Sequence, residues 1–289
     1  MKILMIINAR SGVRNSKAHL LDAMDVFSKY NHEVHVHVTQ KVNDAYEYLR
    51  HCRTDYDVVC VFGGDGTLNE VTNALIRKKK KPRIGYFPSG TMNDFGSNFN
   101  LDIDFRQIAE NICNNKPTAF DVGKFNDRYF NYVAAFGAFC DVPFSTDRNA
   151  KETFGTLAYI FEGISRIPDI KPIKVSYTVK DKTRTIDALF GLVFSGGRVA
   201  GVQLVDKKKS RMDDGMFNIL IVEYVENIFE MPDYLAIITN PRKYFHQYKA
   251  QDIVLAFEDR TIWTLDGERA DVDRLVNISC LPRALEIIA

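Results

Sequence analysis

The sequence predicts an α/β domain with a parallel sheet, followed by an antiparallel β-sandwich. Three observations carry that prediction. Short apolar runs alternate with stretches of helical spacing over the first 120 or so residues, the pattern of a parallel sheet with right-handed crossovers. From Asp121 onward strand follows strand, separated by short polar turns. Glycine-rich loops follow the strands of the first half, where open parallel sheets bind ligands outside the carboxyl ends of their strands.

In order, Lys2 to Ile7 is a compact apolar strand that breaks at Asn8-Ala9-Arg10-Ser11-Gly12. Leu20, Leu21, Met24, Phe27 and Tyr30 then recur at helical spacing. Glu33 to Thr39 sets Val34, Val36 and Val38 against His35 and His37, which predicts a half-buried strand with its histidines on the solvated face. Asn43 to Cys52 reads as a helix, Val58 to Phe62 as a buried strand and Thr67 to Ile76 as a helix. Arg83 to Phe87 is a fourth strand, ending at Ser89-Gly90-Thr91-Met92-Asn93-Asp94, and Phe105 to Cys113 is a further helix. The second half offers strands at Lys124 to Phe125, Tyr129 to Phe136, Ile173 to Val179, Thr185 to Phe194, Met216 to Val222, Ile253 to Phe257, Thr261 to Leu265 and Val276 to Ser279. Helical interruptions fall around Thr156 to Ile164 and Asn227 to Thr239, where Phe229, Tyr234, Ile237 and Ile238 have core spacing. Residues 1–121 are therefore assigned to the first domain and 122–282 to the second, with about 283–289 free to return to the first.

The chain of 289 residues has length enough for two domains, and 46% hydrophobic with 26% charged residues is an ordinary soluble composition. A formal net charge of +1 gives no long-range steering toward nucleic acid, so no nucleic-acid partner is expected. No uncharged apolar run is long enough to span a bilayer, and the N-terminus loses its apolar character too early for a signal peptide. The expected location is the cytoplasm. Cys52, Cys60, Cys113, Cys140 and Cys280 are odd in number and lack any C-x-x-C pair, as for thiols of a reducing compartment. Arg77 to Lys81 ends a helix and reads as a solvated tip, with membrane docking as its functional alternative, which Lys207 to Lys209 would join.

The stretch Val58 to Glu70, VVCVFGGDGTLNE, organises the first half. A strand that runs through Gly63-Gly64-Asp65-Gly66 into a helix is a phosphate site in the making, because glycines let backbone amides approach an anion at a helix N-terminus. Thr67 with Glu70 fits a capping box. Asp65 would repel a phosphate unless a metal or ordered donor intervenes, which suggests that it organises a Mg²⁺-nucleotide. Taken alone, the stretch is equally well a tight turn that uses Gly and Asp for their left-handed tolerance.

Asn8 to Gly12, Gly63 to Glu70, Ser89-Gly90-Thr91-Met92-Asn93-Asp94-Phe95, Asp213-Asp214-Gly215 and Asp266-Gly267-Glu268 stand in the order and spacing of one family. The chain resembles the diacylglycerol kinase catalytic family, and most of all its soluble bacterial lipid kinases. One departure is Ala9, where the family usually has proline.

The resemblance implies an NAD-kinase-like nucleotide-binding α/β domain, a C-terminal β-sandwich for the lipid, and an active site between them. ATP would be held at the positions of Asn8, Arg10, Ser11, Gly12, Thr39, Gly63, Gly64, Asp65, Gly66, Thr67, Leu68, Asn69 and Thr91. Asp65, with Asp94 and Asp121, would belong to a water and Mg²⁺ network, and Glu268 would be the base that takes the proton from the lipid hydroxyl. Without the upstream motifs, Asp266-Gly267-Glu268 is a hairpin turn with a solvated Glu. The family's second, structural Mg²⁺ site maps onto the Arg211 carbonyl, the Asp214 carboxylate and the Met216 carbonyl; an Asp-Gly turn entering a strand explains the same residues nearly as well.

The implied activity is ATP- and Mg²⁺-dependent phosphorylation of diacylglycerol to phosphatidic acid, by a cytoplasmic protein that meets its lipid transiently at the membrane surface. A homodimer is left open. Competing readings are a kinase of phosphatidylglycerol, a sphingoid base or a polyprenol, an NAD kinase, and a nucleotide-binding regulator without activity. Retention of both Asp65 and Glu268 argues against the last.

Overall fold

The computed structural model describes residues 1–10, 16–101, 104–141, 171–205, 210–224, 244–272 and 274–288. Both helical interruptions expected in the second half, and the run Lys207 to Lys209, lie outside the described residues. Two compact units emerge. One comprises Met1–Val122, Tyr129–Asn131 and Leu281–Ala289; the other comprises Gly123–Arg128 and Tyr132–Cys280.

The first unit opens with β1 (Lys2–Ile7), α1 (Ser16–Lys29), β2 (Glu33–Val38), α2 (Asp44–His51), β3 (Val58–Gly63), α3 (Asp65–Leu75) and β4 (Arg83–Pro88). The strands lie in the order β4-β3-β1-β2, all parallel. The step from β1 to β2 runs one way along the sheet and the steps from β2 to β3 and on to β4 run the other. Right-handed crossovers therefore put α1 on one face and α2 with α3 on the opposite one. Two further helices follow, α4 (Asp94–Asn98) and α5 (Phe105–Asn114), and α5 joins α1. Between α1, α5 and the sheet, Met5, Cys60, Phe62 and Phe87 pack against Phe27, Phe105 and Ile108. The rings of Phe62 and Phe87 stack with centroids 4.0 Å apart. Full burial of each such side chain is worth about 1.5–3 kcal/mol.

Two local expectations are corrected. On β2 the valines were expected inside and the histidines in solvent. Val34 does pack against the core, but Val36 and Val38 are 51% and 39% exposed, whereas the ring of His37 stacks on Tyr48 of α2 at 3.9 Å and His35 Nδ1 lies 2.9 Å from the hydroxyl of Tyr56. Alternation fixes which residues share a face, and on an edge strand helix placement decides which face is covered. The second correction concerns the capping box: α3 begins at Asp65 with Gly64 as its cap, and the Glu70 carboxylate instead accepts from the backbone nitrogens of Asn43 at 2.8 Å and Ala45 at 3.0 Å. Asn43 is left-handed with φ 66° and gives α2 no side-chain cap, so Glu70 supplies one from the neighbouring helix.

The basic run is exposed apart from half-buried Lys78, as a solvated tip should be, and several of its side chains still find partners within this unit. Arg77 donates to the Tyr46 hydroxyl at 3.0 Å and lies over the ring of Tyr129 at 5.2 Å. Lys78 Nζ donates to the Cys52 carbonyl, Lys80 pairs with Asp55 and Lys81 Nζ donates to the Ala284 carbonyl.

The chain passes between units within β5 (Thr118–Phe125), and β6 (Arg128–Phe130) follows. The second unit holds β7 (Val133–Gly137), β8 (Ile173–Val179), β9 (Lys182–Phe194), the small pair β10 (Arg198–Val199) and β11 (Val202–Gln203), β12 (Phe217–Glu223), β13 (Phe245–Ala250), β14 (Asp252–Phe257), β15 (Thr261–Leu265), β16 (Glu268–Val272) and the start of β17 (Leu275–Ile288). They are antiparallel in the order β16-β15-β7-β9-β8-β14-β17, with β12 on β9 and β13 on β12. The end of β17 returns to the first unit, where Ile287 and Ile288 pair in parallel with β4. Trp263 is fully buried among Phe125, Phe136 and Phe257, which anchors β15 on β7. Strands β10, β11, β13 and β16 and helix α4 have no counterpart among the elements expected from sequence, and the single expected strand Tyr129 to Phe136 divides into β6 and β7.

Candidate active site

The sheet of the first unit reverses its winding between β1 and β3, and the carboxyl ends of those two strands are the place where such sheets bind ligands. Asn8 leaves β1 there: its Nδ2 donates to Thr67 Oγ1 at 3.0 Å, closing the gap between the two loops. Its Oδ1 accepts from the Arg10 nitrogen at 3.0 Å, holding the first loop in a local turn. Ala9 and Arg10 are exposed, and Ser11 and Gly12 lie outside the described residues. Thr39, after β2, donates its nitrogen to the Ile7 carbonyl at 2.9 Å and so flanks the same end of the sheet.

Gly63 to Asn69 continue β3 into α3. A Cβ on Gly63 would lie 2.6 Å from Cβ of Thr67, and one on Gly90 would lie 2.6 Å from Cα of Gly64. The loops after β3 and β4 thus touch backbone to backbone, a contact open only to glycine. Leu68 is buried and its nitrogen bonds the Gly64 carbonyl in the first helical turn. Asn69 Nδ2 donates to the Tyr129 carbonyl at 3.1 Å, and Thr91 is exposed at the loop tip.

The Asp65 carboxylate accepts from the nitrogens of Asp94 at 3.0 Å and Phe95 at 3.4 Å, and from the Tyr86 hydroxyl at 3.3 Å. It thereby satisfies the first turn of α4, which Asn93 enters with φ 50°. Asp94 is buried. Asp121 is buried too, and it bonds the Arg283 nitrogen at 2.8 Å, in β17. Among the described residues no group of three His, Cys, Asp or Glu could hold a metal ion. A nucleotide-borne Mg²⁺ needs no such cage, since it keeps several waters and takes one or two carboxylates beside the phosphates.

In the second unit, Asp266 and Gly267 form the turn between β15 and β16 with φ 50° and 89°. Asp266 is buried and its Oδ1 accepts from the nitrogens of Tyr132 at 3.0 Å and Val133 at 3.1 Å. Glu268, the first residue of β16, is exposed. Asp214 accepts from the Met216 nitrogen at 3.1 Å and holds Lys249 Nζ at 2.7 Å, while Arg211 forms a bidentate pair with Asp213 at 2.8 Å on each arm. That pair raises the guanidinium's pKa above its ordinary value.

The sequence pattern described as the diacylglycerol kinase catalytic domain matches residues 2–125. A diacylglycerol kinase of Staphylococcus saprophyticus is 32% identical over 272 residues, covering 91% of this chain and 88% of that protein. The chain belongs to the diacylglycerol kinase family. A diacylglycerol kinase of Staphylococcus aureus is 31% identical over 271 residues, with 91% and 85% covered. In fold, the chain superposes on a diacylglycerol kinase of Bacillus anthracis str. Sterne with TM-score 0.74 at 20% identity, covering 99% of this chain and 96% of that one. A second chain of that organism gives TM-score 0.80 at 24% identity, with 99% and 94% covered.

Around these loops the chain also places side chains whose partners the motifs alone do not reveal. Glu70 caps a helix 25 to 27 residues earlier, and Asn73 pairs its amide with both backbone groups of Tyr129. Asp266 binds strand β7 rather than solvent. Beyond its place in the Asp-Gly-Glu motif, Asp266 is marked in the sequence by an Asp-Gly pair before a strand, which signals a turn but not a partner.

Proposed function

We propose that the chain phosphorylates diacylglycerol with ATP and Mg²⁺, giving phosphatidic acid. The observation that carries this is the meeting of the Asn8, Gly63 to Thr67 and Ser89 to Asp94 loops at the winding reversal of a family member's sheet. The backbone contact of Gly64 with Gly90 holds the two glycine loops together at the start of α3, where helix N–H groups favour a phosphate chain. Bound ATP supplies the phosphoryl group and Mg²⁺ the charge neutralisation. For this chain the rest is positioning and electrostatics, which dominate phosphoryl transfer. Asn8 and Thr67 hold the first two loops together, Asp65 holds the third, and Asp65 with Asp94 and Asp121 would hold the cation through its waters. Arg10, Ser11, Gly12, Thr39, Asn69 and Thr91 complete the nucleotide contacts. Glu268, exposed and free to meet a substrate, takes the proton from the acceptor hydroxyl as that oxygen attacks.

The Asp214 turn is proposed as a second, structural Mg²⁺ site with the Arg211 and Met216 carbonyls. A cation there shares the carboxylate with Lys249. The protein works as a peripheral kinase at the membrane surface. Among the described residues no helix is long and apolar enough to cross a membrane.

The test is transfer of labelled γ-phosphate to dioleoylglycerol in mixed micelles, run beside phosphatidylglycerol, sphingosine, a polyprenol and NAD. Label in phosphatidic acid alone supports the proposal. Label in another lipid keeps the mechanism and changes the acceptor, and label in NADP alone overturns the lipid reading.

A further inference from the structure

Within the Asp266-Gly267-Glu268 turn the two carboxylates differ in every physical respect. Glu268 is exposed, whereas Asp266 is 4% exposed and its Oδ1 takes two consecutive backbone N–H groups, from Tyr132 and Val133. The nitrogen of Asp266 in turn donates to the Val133 carbonyl at 2.9 Å. Three hydrogen bonds thus join one turn residue to the start of β7. The clamp extends further, because the Tyr132 carbonyl accepts from the Ser195 nitrogen at 2.8 Å just beyond β9. Below it, Leu265 opposes Ala134 and Trp263 opposes Phe136 in the β15 to β7 ladder.

A buried carboxylate is costly unless hydrogen-bonded, and bonds from backbone N–H groups to an ionised oxygen are the strong, charge-assisted kind. A hairpin needs no such device to turn; Asn-Gly would form the same two left-handed residues. The carboxylate therefore adds something beyond the turn, and what it fixes is the residue two places on.

We propose that Asp266 is a positioning residue that clamps the β15 to β16 turn onto β7 and so sets where Glu268 stands relative to the acceptor hydroxyl. This rests on Glu268 acting as the base in the proposed reaction. Asp266 touches no substrate; it acts through the turn. Misplacing a catalytic group by about 1 Å costs on the order of a hundredfold in rate.

The experiment compares the full-length wild type with Asp266→Asn, Asp266→Ala and Glu268→Gln, using ATP and the lipid that wild type phosphorylates best in the panel. The expected result is a kcat lowered about ten- to a hundredfold in Asp266→Ala, with the KM for ATP unchanged and with partial rescue in Asp266→Asn, which keeps an acceptor oxygen. Amide hydrogen exchange at Tyr132 and Val133 is expected to quicken in Asp266→Ala while amides of β1 and β3 stay as in wild type. Wild-type kcat in Asp266→Ala overturns the proposal, and so does a loss that falls on the KM for ATP or exchange that quickens across the whole chain. An inactive Glu268→Gln beside a fully active Asp266→Ala sinks the positioning role and spares the base. A fully active Glu268→Gln sinks both. The exchange measurement needs no substrate, so it decides on the clamp even where wild type phosphorylates none of the lipids, which is the failure of the proposed function.

Discussion

Oδ2 of Asp65 lies 3.0 Å from the backbone nitrogen of Asp94, across 29 residues of sequence. One carboxylate thus serves as the first residue of α3 and as the cap of α4, so the glycine loop after β3 cannot shift without the loop after β4.

Asp65→Ala is expected to leave the Asp94 and Phe95 nitrogens short of this acceptor, at about 1–3 kcal/mol in stability. Phosphoryl transfer should fall by about a hundredfold or more, the usual scale for a lost preorganised electrostatic group. Asp65→Asn should recover most of the stability, because an amide oxygen still accepts, but little of the transfer. Calorimetric melting and kcat measured together check this; a fully active Asp65→Asn would show that only the cap matters.

Glu70→Ala removes the cap of α2 and is expected to cost about 0.5–2 kcal/mol. The residue bonds the far end of the loop that follows Thr39, so ATP affinity should weaken while kcat at saturation stays. Urea unfolding and ATP titration read the two effects. A double-mutant cycle with Thr67→Ala should give a coupling near zero; a strong coupling would restore the capping box.

Gly90→Ala places a Cβ 2.6 Å from Cα of Gly64, backbone against backbone, with no flexible side chain to yield. The loops must separate, and a destabilisation of about 1–3 kcal/mol is expected from the overpacking, with loss of ATP binding. Thr91→Ala, one residue on at the exposed tip, should leave the fold unchanged. Equal melting temperatures for Gly90→Ala and wild type would refute the contact.

Burial pushes the Tyr56 phenol from 10.0 up to about 12, with Tyr48 as a lesser cause. The raised value means that the folded state holds the neutral phenol more tightly than the unfolded state does. Its contribution is fully present below pH 10 and is lost as the pH rises through about 12. A shift of that size is worth on the order of 2–3 kcal/mol. Tyr56→Phe is expected to flatten that alkaline loss, seen by denaturant unfolding across the window, at the expense of the bond to His35.

What the sequence determined by itself was what local chemistry determines. The apolar runs Lys2 to Ile7 and Val58 to Phe62 form buried parallel strands because both their faces must be covered. Gly63, Gly64 and Gly90 mark the loops because no other residue allows that backbone approach. The order of motifs was enough to give the family. Tertiary structure decided the partners. Nothing in Glu70 indicates that it bonds Asn43 rather than Thr67, and nothing in the alternation of Val36 and His37 says which face α2 covers. Arg77, Lys79, Lys80 and Lys81 are exposed, as a solvated charge run should be, but which aromatic, carbonyl or carboxylate Arg77, Lys78, Lys80 and Lys81 meet is set by the fold. Asp266 and Glu268 read as two carboxylates of one turn, and only strand β7, more than 130 residues earlier, makes one a buried clamp and leaves the other exposed. Periodicity and turn chemistry act over a few residues, whereas a carboxylate's hydrogen bonds are set by whichever backbone the folded chain brings beside it.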